Sequence, residues 1–313
     1  MKQLHEVTTQ YVAHKQSMGM RFRTEARVLK SFCRTMGDVG IDQLKPDVVQ
    51  AFLDGNGPVT RFWHRKYEVL CGFYRFAIAR GHVGASPLPR TAPKPPPPFV
   101  PHIFSQDELR RLLAAAESCQ HPRAKMQSHT RRALLLLLYG AALRISEALS
   151  LTLADGDLSL GILTIRDSKF YKSRFVPIGP ELTQAMITYR TRRLREHPAK
   201  PPAPFFVSHM GEPLTRQLAE RTFRHMCLRA GVFRHDGGRY QPRLHDLRHA
   251  AAVHRLVSWY RAGSDVQRLL PQLATYLGHI NIASTQRYLT MTPELLTEAS
   301  RRFERYAMEV THD

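Results

Sequence analysis

Apolar residues recur at helical spacing through the first part of the chain. The segments VTTQYVAHKQSMGMRF and TEARVLKSFCRTMG place them every three or four positions, which is typical of amphipathic helices. The same spacing returns over Pro46–Phe52 and Arg61–Arg80, where Leu70, Phe73, Tyr74 and Ile78 recur at helical spacing. The pattern predicts a small bundle of four or five helices, with most of the aromatic side chains in its core.

A dense run of proline interrupts this pattern between Thr91 and Pro101. The run TAPKPPPPFVP can form neither a helix nor a central strand, and it favours extended polyproline II. At about 3.1 Å per residue, its 11 residues reach roughly 34 Å. We therefore predict a linker over residues 91–102, between a helical domain, 1–90, and a second domain, 103–313. The linker could be a simple tether, or it could let the two domains clamp a duplex.

After the linker, helical segments surround one segment of strand character. Ser105 and Glu108 form an S-x-x-E capping box before ELRRLLAAAE, and a longer apolar helix is predicted over roughly Arg131–Leu151. The segment GILTIRDSKFYKSRFVPIG then alternates and is rich in β-formers, which predicts a β-hairpin. From Glu181 the chain is mostly helical again, apart from a proline-rich loop at His197–Pro204. The fold predicted is mainly α with a small β-sheet.

Charge narrows the range of partners. The chain has 313 residues, 43% of them apolar, and its 46 lysines and arginines outnumber its 26 acidic residues by 20. Residues 1–90 contain 14 basic and 7 acidic residues, and residues 91–313 contain the other 32 and 19. A protein that is basic throughout attracts polyanions. Nucleic acid is the first candidate, although charge alone leaves an anionic membrane or ribosomal RNA open.

Cysteine usage and apolar runs indicate the compartment. The four cysteines (Cys33, Cys71, Cys119 and Cys227) are scattered and form no CxxC pair, so neither a disulfide framework nor a zinc knuckle is predicted. The N-terminus lacks an apolar signal core, and the longest apolar run, Ala133–Tyr139, is far too short to cross a membrane. We expect a cytoplasmic protein that makes no membrane contact.

The segment LHDLRH, residues 244–249, allows two interpretations. His245 and His249 lie four residues apart on one helical face and could ligate a metal ion. However, Asp246 takes the place of the glutamate of a zinc protease motif, and Arg248 adds a permanent cation nearby. A guanidinium suits an oxyanion, so the segment fits a phosphate clamp better than a zinc site. It could also be an ordinary surface turn of helix.

Four separated segments carry the residues on which chemistry could rest. They are GAALRISEALSL with Arg144 and Glu147, SKFYKSRFVPIG with Lys169 and Lys172, LHDLRH with His245 and Arg248, and LGHINIASTQRYL with His279 and Tyr288. Cutting a DNA phosphodiester without a metal needs cations for the nonbridging oxygens, a base for the nucleophile and an acid for the leaving oxygen. A protein nucleophile keeps the bond energy for rejoining. These residue types meet each need, so we predict neither metal nor cofactor.

The four segments resemble the motifs of the tyrosine recombinase (phage integrase) family, with the layout of its compact Xer-type members. The family patterns are a G-x-x-R-x-x-E-like turn, K-x-x-K-x-R-x-V-P, H-x-L-R-H, and L-G-H followed nine residues later by tyrosine. Arg144 and Glu147 fit the first, and the other three occur here in full and in order. The resemblance is strong over Phe104–Tyr306 and extends to organisation alone before that. One departure is Ala142-Leu143, where Gly-Leu is commoner.

The resemblance implies a role for each matched residue. Tyr288 would attack the scissile phosphate and form a 3′-phosphotyrosine, while Arg144 and Arg248 hold the nonbridging oxygens. Lys169 would protonate the leaving 5′ oxygen, and His245 would act as an acid–base partner. His279 would donate a hydrogen bond to the phosphate.

Other polar residues near these motifs receive supporting roles. Glu147 would orient Arg144 or His245. Lys172, the rival of Lys169 for the acid role, would contact DNA phosphates together with Arg174. His249 is expected to pack or bond locally.

The resemblance also implies architecture and partners. It implies an N-terminal helical core-binding (SAM-like) domain and a C-terminal mixed α/β catalytic domain, which together clamp double-stranded DNA. The function implied is that of a site-specific recombinase of a mobile element, associated with the nucleoid. A homo-tetramer on synapsed sites is expected, with partner recombinases left open. The tail TPELLTEASRRFERYAMEV would dock on a neighbouring protomer or on its own domain. A DNA-binding regulator without cleavage and a type IB topoisomerase-like enzyme remain alternatives.

Overall fold

The chain forms two compact units, which we describe from a computed structural model. The structure describes residues 2–97, 99–118, 124–166, 173–238, 240–290 and 293–310. The first unit is Met1–Phe99 and the second is Val100–Asp313. The division between them falls within the proline-rich segment.

The first unit is a helical bundle. Its helices are α1 (Leu4–Ser17), α2 (Arg23–Met36), α3 (Pro46–Asp54) and α4 (Arg61–Ala79), with a 3₁₀ turn at Ile41–Gln43. Buried residues of these helices, including Phe32, Trp63 and Phe73, form one apolar core. The bundle matches the prediction, except that α1 ends at Ser17 and does not continue to residue 22. Gly19 follows with φ +79°, a left-handed conformation that ends a helix.

The second unit is also mostly helical and contains a small sheet. Its elements are α5 (Gln106–Ser118), α6 (Ser128–Gly140), α7 (Ile145–Ser150), β1 (Gly156–Asp157), β2 (Ile162–Ile165), β3 (Arg174–Pro177), α8 (Pro180–Glu196), α9 (Arg216–Ala230), α10 (Leu244–Arg261), α11 (Val266–Leu277), α12 (Ala283–Gln286), a 3₁₀ turn (Arg287–Thr290) and α13 (Pro293–Val310). The capping box predicted before α5 is present, because Ser105 and Glu108 exchange hydrogen bonds of 2.7 and 3.1 Å. The predicted fold class is confirmed.

The single long helix predicted over Arg131–Leu151 is wrong, because the chain turns between α6 and α7. Ala142 has φ +48° and Arg144 has extended backbone angles, so α6 ends at Gly140 and its last i to i−4 hydrogen bond is donated by Ala141. The turn frees the carbonyl of Ala142, which accepts a hydrogen bond of 2.7 Å from Nη1 of Arg248. A contact made 106 residues away along the chain therefore compensates for the break.

The predicted hairpin is present as β2 and β3, which pair antiparallel with Leu163 opposite Val176. Both of these residues are buried in the core of the unit. The short strand β1, which was not predicted, pairs with the other edge of β2. Within the described residues the sheet has the order β1-β2-β3. The connection between β2 and β3 includes residues 167–172, which lie outside the described residues.

Helix α10 separates two apolar clusters of the second unit. Leu247 and Ala250 belong to the larger cluster, while Val253 and Leu256 belong to a smaller one with residues of α11. Tyr288 belongs to the smaller cluster as well. Among the described residues, no helix combines the length and apolar character needed to cross a membrane.

The left-handed conformation of Ala142 gives a stability prediction. A non-glycine residue in this region costs about 1–2 kcal/mol, and glycine avoids the cost. Ala141 is equally buried but has an ordinary φ of −97°. Ala142→Gly is therefore expected to exceed Ala141→Gly in free energy of unfolding by about 1–2 kcal/mol, measured by urea denaturation. Equal stabilities of the two variants would contradict strain at Ala142.

Candidate active site

The carboxylate of Glu147 lies at the centre of a cluster of arginines. Glu147 sits in the first turn of α7 and is only 4% exposed. Its two oxygens accept hydrogen bonds of 3.0 and 2.9 Å from the terminal nitrogens of Arg174 on β3. It also accepts from Nη1 of Arg144 at 2.6 Å and from the Arg144 backbone N–H at 3.0 Å. One carboxylate thus fixes two guanidinium groups and caps the start of α7.

Arg248, in the second turn of α10, is the third guanidinium of the cluster and is only 1% exposed. Its Nη1 donates to the carbonyl of Ala142, its Nη2 donates to the carbonyl of Leu277, and Nη1 lies 4.0 Å from Oε2 of Glu147. Burial and the nearby charge of Arg144 lower the pKa of Arg248 to about 10. Arg248 therefore remains charged at neutral pH.

The C-terminal end of α11 supplies acceptors to all three arginines. The last carbonyls of a helix have no partner within the helix. Here the carbonyls of residues 276, 277 and 278 accept, in that order, from Arg174, Arg248 and Arg144. Gly278 has φ +65°, and a Cβ on it would lie 2.8 Å from Nη1 of Arg174. The glycine of the L-G-H motif is thus required by both the turn and the close packing.

The cluster carries more positive than negative charge. Burial opposes ionisation of Glu147, but the hydrogen bonds and charge of Arg174, together with the hydrogen bonds from Arg144, hold its pKa at about 2. Three guanidinium groups therefore surround one carboxylate, which leaves a net charge of two positive units. Such a site favours an anion with several oxygens, because each guanidinium has further N–H donors.

Tyr288 and His279 lie beside the arginines. Tyr288, in the 3₁₀ turn that follows α12, is only 3% exposed. The ring of His279 stacks on it, with the two centroids 6.1 Å apart, while Nδ1 of His279 lies 2.7 Å from Oγ1 of Thr285. Burial raises the pKa of Tyr288 against the opposing charge of Arg248. The phenol is therefore protonated at neutral pH.

Two more histidines approach from α10. The rings of His245 and His249 are 4.7 Å apart, and Nδ1 of His249 lies 3.1 Å from the phenol oxygen of Tyr288. Burial lowers the pKa of His245, His249 and His279 to about 4, and the charge of Arg248 acts in the same direction on all three. All three rings are neutral at pH 7, so each has one nitrogen able to accept a proton.

The structure brings together most of the residues predicted from the sequence. Arg144, His245, Arg248, His279 and Tyr288 converge on one region, and Glu147 joins the arginines. Lys169 and Lys172 lie outside the described residues. Arg174, for which a DNA phosphate contact stays a prediction, directs its terminal nitrogens to Glu147.

Two contacts were missed by reasoning from the sequence. His249 was expected to pack or bond locally, whereas its ring lies at hydrogen-bond distance from a tyrosine 39 residues away. The bidentate pairing of Arg174 with Glu147 joins residues 27 positions apart. The R-x-V-P and H-x-x-R-H motifs contain both residues, but spacing alone does not reveal their partners. Among the described residues, no three histidine, cysteine, aspartate or glutamate side chains are grouped to hold a metal ion.

Comparison with known families identifies the class of protein. The model of the phage integrase family matches residues 102–294, which is more than half of the chain. The chain therefore belongs to the phage integrase family, the tyrosine site-specific recombinases, as the motifs indicated.

Individual relatives match over nearly their full length. "Putative integrase/recombinase y4rB" of Sinorhizobium fredii is 34% identical over 313 residues, covering 97% of this chain and 98% of the relative. Tyrosine recombinase XerC of Oceanobacillus iheyensis is 30% identical, covering 89% and 87%. The Tn1549 transposon integrase, solved in complex with transposon right end DNA, has a TM-score of 0.69 at 17% identity, covering 98% of this chain and all of that one. The structural likeness concerns the fold.

Neutralising Glu147 is expected to destabilise the protein in a pH-dependent way. Its pKa is about 2 in the folded protein and 4.5 ordinarily, so its stabilising contribution is full above about pH 5 and is lost as the pH falls towards 2. Glu147→Gln should lower the free energy of unfolding at pH 7 by about 3 kcal/mol, and the difference from wild type should shrink towards pH 3. Urea denaturation at pH 3, 5 and 7 measures this.

The exposed pair of Glu220 with Arg216 provides the control for that experiment. Glu220→Gln should change the stability little at any of the three pH values. A loss in Glu147→Gln that is the same at pH 3 and pH 7 would show that the charge of Glu147 is not the stabilising feature.

Proposed function

We propose that this recombinase cuts and rejoins double-stranded DNA through a 3′-phosphotyrosine formed on Tyr288. The observation that carries the proposal is the position of Tyr288 beside Arg144 and Arg248, whose guanidinium groups are held by the neighbouring carbonyls of residues 277 and 278. A nucleophilic hydroxyl beside two fixed cations is the arrangement that phosphoryl transfer requires.

The arginines hold and stabilise the scissile phosphate. A phosphodiester brings one negative charge, and more negative charge accumulates on its nonbridging oxygens in the transition state. The excess positive charge of the cluster offsets it, and because the guanidinium groups are already fixed, little reorganisation is needed when charge develops. His279 donates a further hydrogen bond to the phosphate. Glu147, held by Arg174, keeps Arg144 in place.

Lysine in the β2–β3 connection protonates the leaving 5′ oxygen. Lys169 matches the first position of the family's K-x-x-K-x-R-x-V-P pattern, and we assign the acid role to it. Lys172 then contacts a DNA phosphate. His245, neutral and close to Arg248, serves as the acid–base partner of the phosphate oxygens.

The substrate is DNA, and the setting that we propose is a mobile element. The net charge of +20 supports binding to a polyanion. The fold of the Tn1549 integrase, solved with transposon end DNA, supports the same choice. We propose a tetramer on paired sites. In the structure Leu295 of α13 is buried in its own unit, whereas Leu296 and Phe303 are exposed and available to a neighbouring protomer.

Covalent trapping tests the nucleophile. Sheared, nicked DNA from both flanks of the gene in its genome, incubated with the protein and EDTA, should give a covalent adduct that survives denaturing electrophoresis. Tyr288→Phe should abolish the adduct, because phenylalanine has no oxygen to attack phosphorus. Tyr276→Phe, which removes a phenol bonded at 3.3 Å to the carbonyl of Pro177, is the matched control and should still form it.

Two outcomes would contradict the proposal. A specific gel shift on flank DNA without any adduct indicates a DNA-binding protein that does not cleave. An adduct that persists in Tyr288→Phe assigns the nucleophile to another residue.

A substrate with a sulfur leaving group tests the acid role of Lys169. On normal DNA, Lys169→Ala should slow adduct formation by about 10²–10⁴-fold, the usual contribution of general acid catalysis. Replacing the bridging 5′ oxygen by sulfur should restore most of the rate, because a thiolate leaves without protonation. The measurement is single-turnover adduct formation on the trapped sequence with each bridging atom.

Lys172→Ala is the control for this measurement, and its defect should be unaffected by the sulfur. If the sulfur substrate restored the rate of Lys172→Ala and not that of Lys169→Ala, the acid role would belong to Lys172.

A further inference from the structure

A neutral histidine, to which the family motifs assign no role, lies in contact with the proposed nucleophile. Nδ1 of His249 is 3.1 Å from the phenol oxygen of Tyr288, with the two ring centroids 5.5 Å apart. His249 belongs to α10 and Tyr288 to the 3₁₀ turn after α12, and these two elements pack together. The contact thus joins two parts of the site that lie far apart in sequence.

Two other candidate proton acceptors beside Tyr288, His279 and Glu147, are engaged elsewhere. The ring of His279 is stacked at 22° on the ring of Tyr288, and its Nδ1 is directed to Thr285. The carboxylate of Glu147 is occupied by Arg144 and Arg174. Within the described part of the chain, His249 is the group with a basic nitrogen at hydrogen-bond distance from the phenol oxygen.

One tautomer of His249 directs this hydrogen bond from the phenol to the histidine. His249 is neutral at pH 7 and Tyr288 retains its proton, for the reasons of burial and charge given above. With the ring proton of His249 on Nε2, the phenol O–H donates and Nδ1 accepts across the 3.1 Å contact. In this tautomer the lone pair of Nδ1 is aimed at the proton that must leave when the phenol oxygen attacks.

We propose that His249 is the general base for Tyr288, an inference that rests on the proposed nucleophilic role of this tyrosine. As the phenol oxygen forms its bond to phosphorus, its proton passes to Nδ1 of His249. The bond from phosphorus to the 5′ oxygen breaks, and that oxygen receives a proton from Lys169. In rejoining, the 5′ hydroxyl attacks phosphorus and returns its proton to the neutral amine of Lys169, while the bond from phosphorus to the phenol oxygen breaks and the imidazolium of His249 returns its proton to that oxygen.

The charges around His249 make this base dependent on substrate. Arg248 lies on the same helix, Arg243 precedes it, and Arg287 and His279 face it from the chain around Tyr288. Burial and the three arginines disfavour an imidazolium at His249 before a phosphate binds. A bound phosphodiester adds negative charge, which increases further in the transition state, and so favours the protonated ring. Tyr288 is thus activated when a phosphate occupies the arginine cluster.

Two substitutions separate proton acceptance from positioning. His249→Ala removes the acceptor, whereas His249→Asn keeps a hydrogen-bonding side chain that cannot take up the proton. Both variants should form the covalent adduct on the trapped flank DNA about 10²–10⁴-fold more slowly than wild type. Thermal unfolding and gel shifts of each variant verify that folding and DNA binding persist.

A more acidic nucleophile provides the decisive measurement. Fluorinated tyrosine at position 288 gives a phenol that loses its proton more readily and so depends less on a base. With this nucleophile, the factor by which His249→Ala slows adduct formation, compared with the protein that keeps His249, should become at least about tenfold smaller. A residue that only supports the local structure would give the same relative defect with either tyrosine.

The pair His254–Tyr139 offers a matched control on the same helix. Nδ1 of His254 lies 2.8 Å from the hydroxyl of Tyr139, so His254→Ala removes a similar contact. It should leave adduct formation unchanged and show no dependence on fluorination at position 288. Activity near that of wild type in both His249 variants, or full rescue by His249→Asn, would overturn the base role while leaving the nucleophile intact. Absence of any adduct with the wild-type protein would instead overturn the proposed function, and the base role with it.

Discussion

The second unit depends on one buried ionic cluster, in which Glu147 holds arginines from different parts of the fold. Arg144 precedes α7, Arg174 lies on β3 and Arg248 on α10, so the ion pairs of the cluster connect α7, β3 and α10. A buried ion pair is expensive to break, because the partner that remains is an uncompensated charge. The same cluster cannot neutralise itself, since three cations share one carboxylate. Stability and anion binding therefore arise from the same contacts.

The end of α11 explains how three guanidinium groups can lie so close together. A helix C-terminus carries partial negative charge and unpaired carbonyls. Two of these carbonyls, and that of Gly278, each accept a hydrogen bond from one arginine. The backbone therefore adds negative potential to that of the single carboxylate. The left-handed turn at Gly278 directs the chain on to His279 and, through α12, to Tyr288. The helix end thus positions both the cations and the residues that follow it.

Patterns within a few residues of the sequence predicted the structural elements that form through interactions between neighbouring residues. The helices of the first unit, the capping box at Ser105 and the β2–β3 hairpin follow from periodicity and side-chain chemistry within a few residues. The break at Ala142 could not be predicted in this way, because an alanine with positive φ is compensated by Arg248, 106 positions away. The inward orientation of Arg174 and the contact of His249 with Tyr288 also depend on pairing between distant segments. Motif spacing indicated which residues belong to the site, whereas their partners had to come from the fold.

The proximity of so many cations to Tyr288 has opposite consequences before and after a phosphate arrives. Before a phosphate binds, burial keeps the phenol protonated even though Arg248 favours its anion, and burial together with the nearby arginines keeps His249 neutral. Neither a phenolate nor an imidazolium is therefore stable without substrate. A phosphodiester compensates the excess charge, so it favours the protonated histidine while the arginines favour charge on the oxygens of phosphorus. Under the mechanism proposed above, Tyr288 is unreactive until a phosphate supplies the missing negative charge, which would restrict bond breaking to sites where DNA is correctly bound.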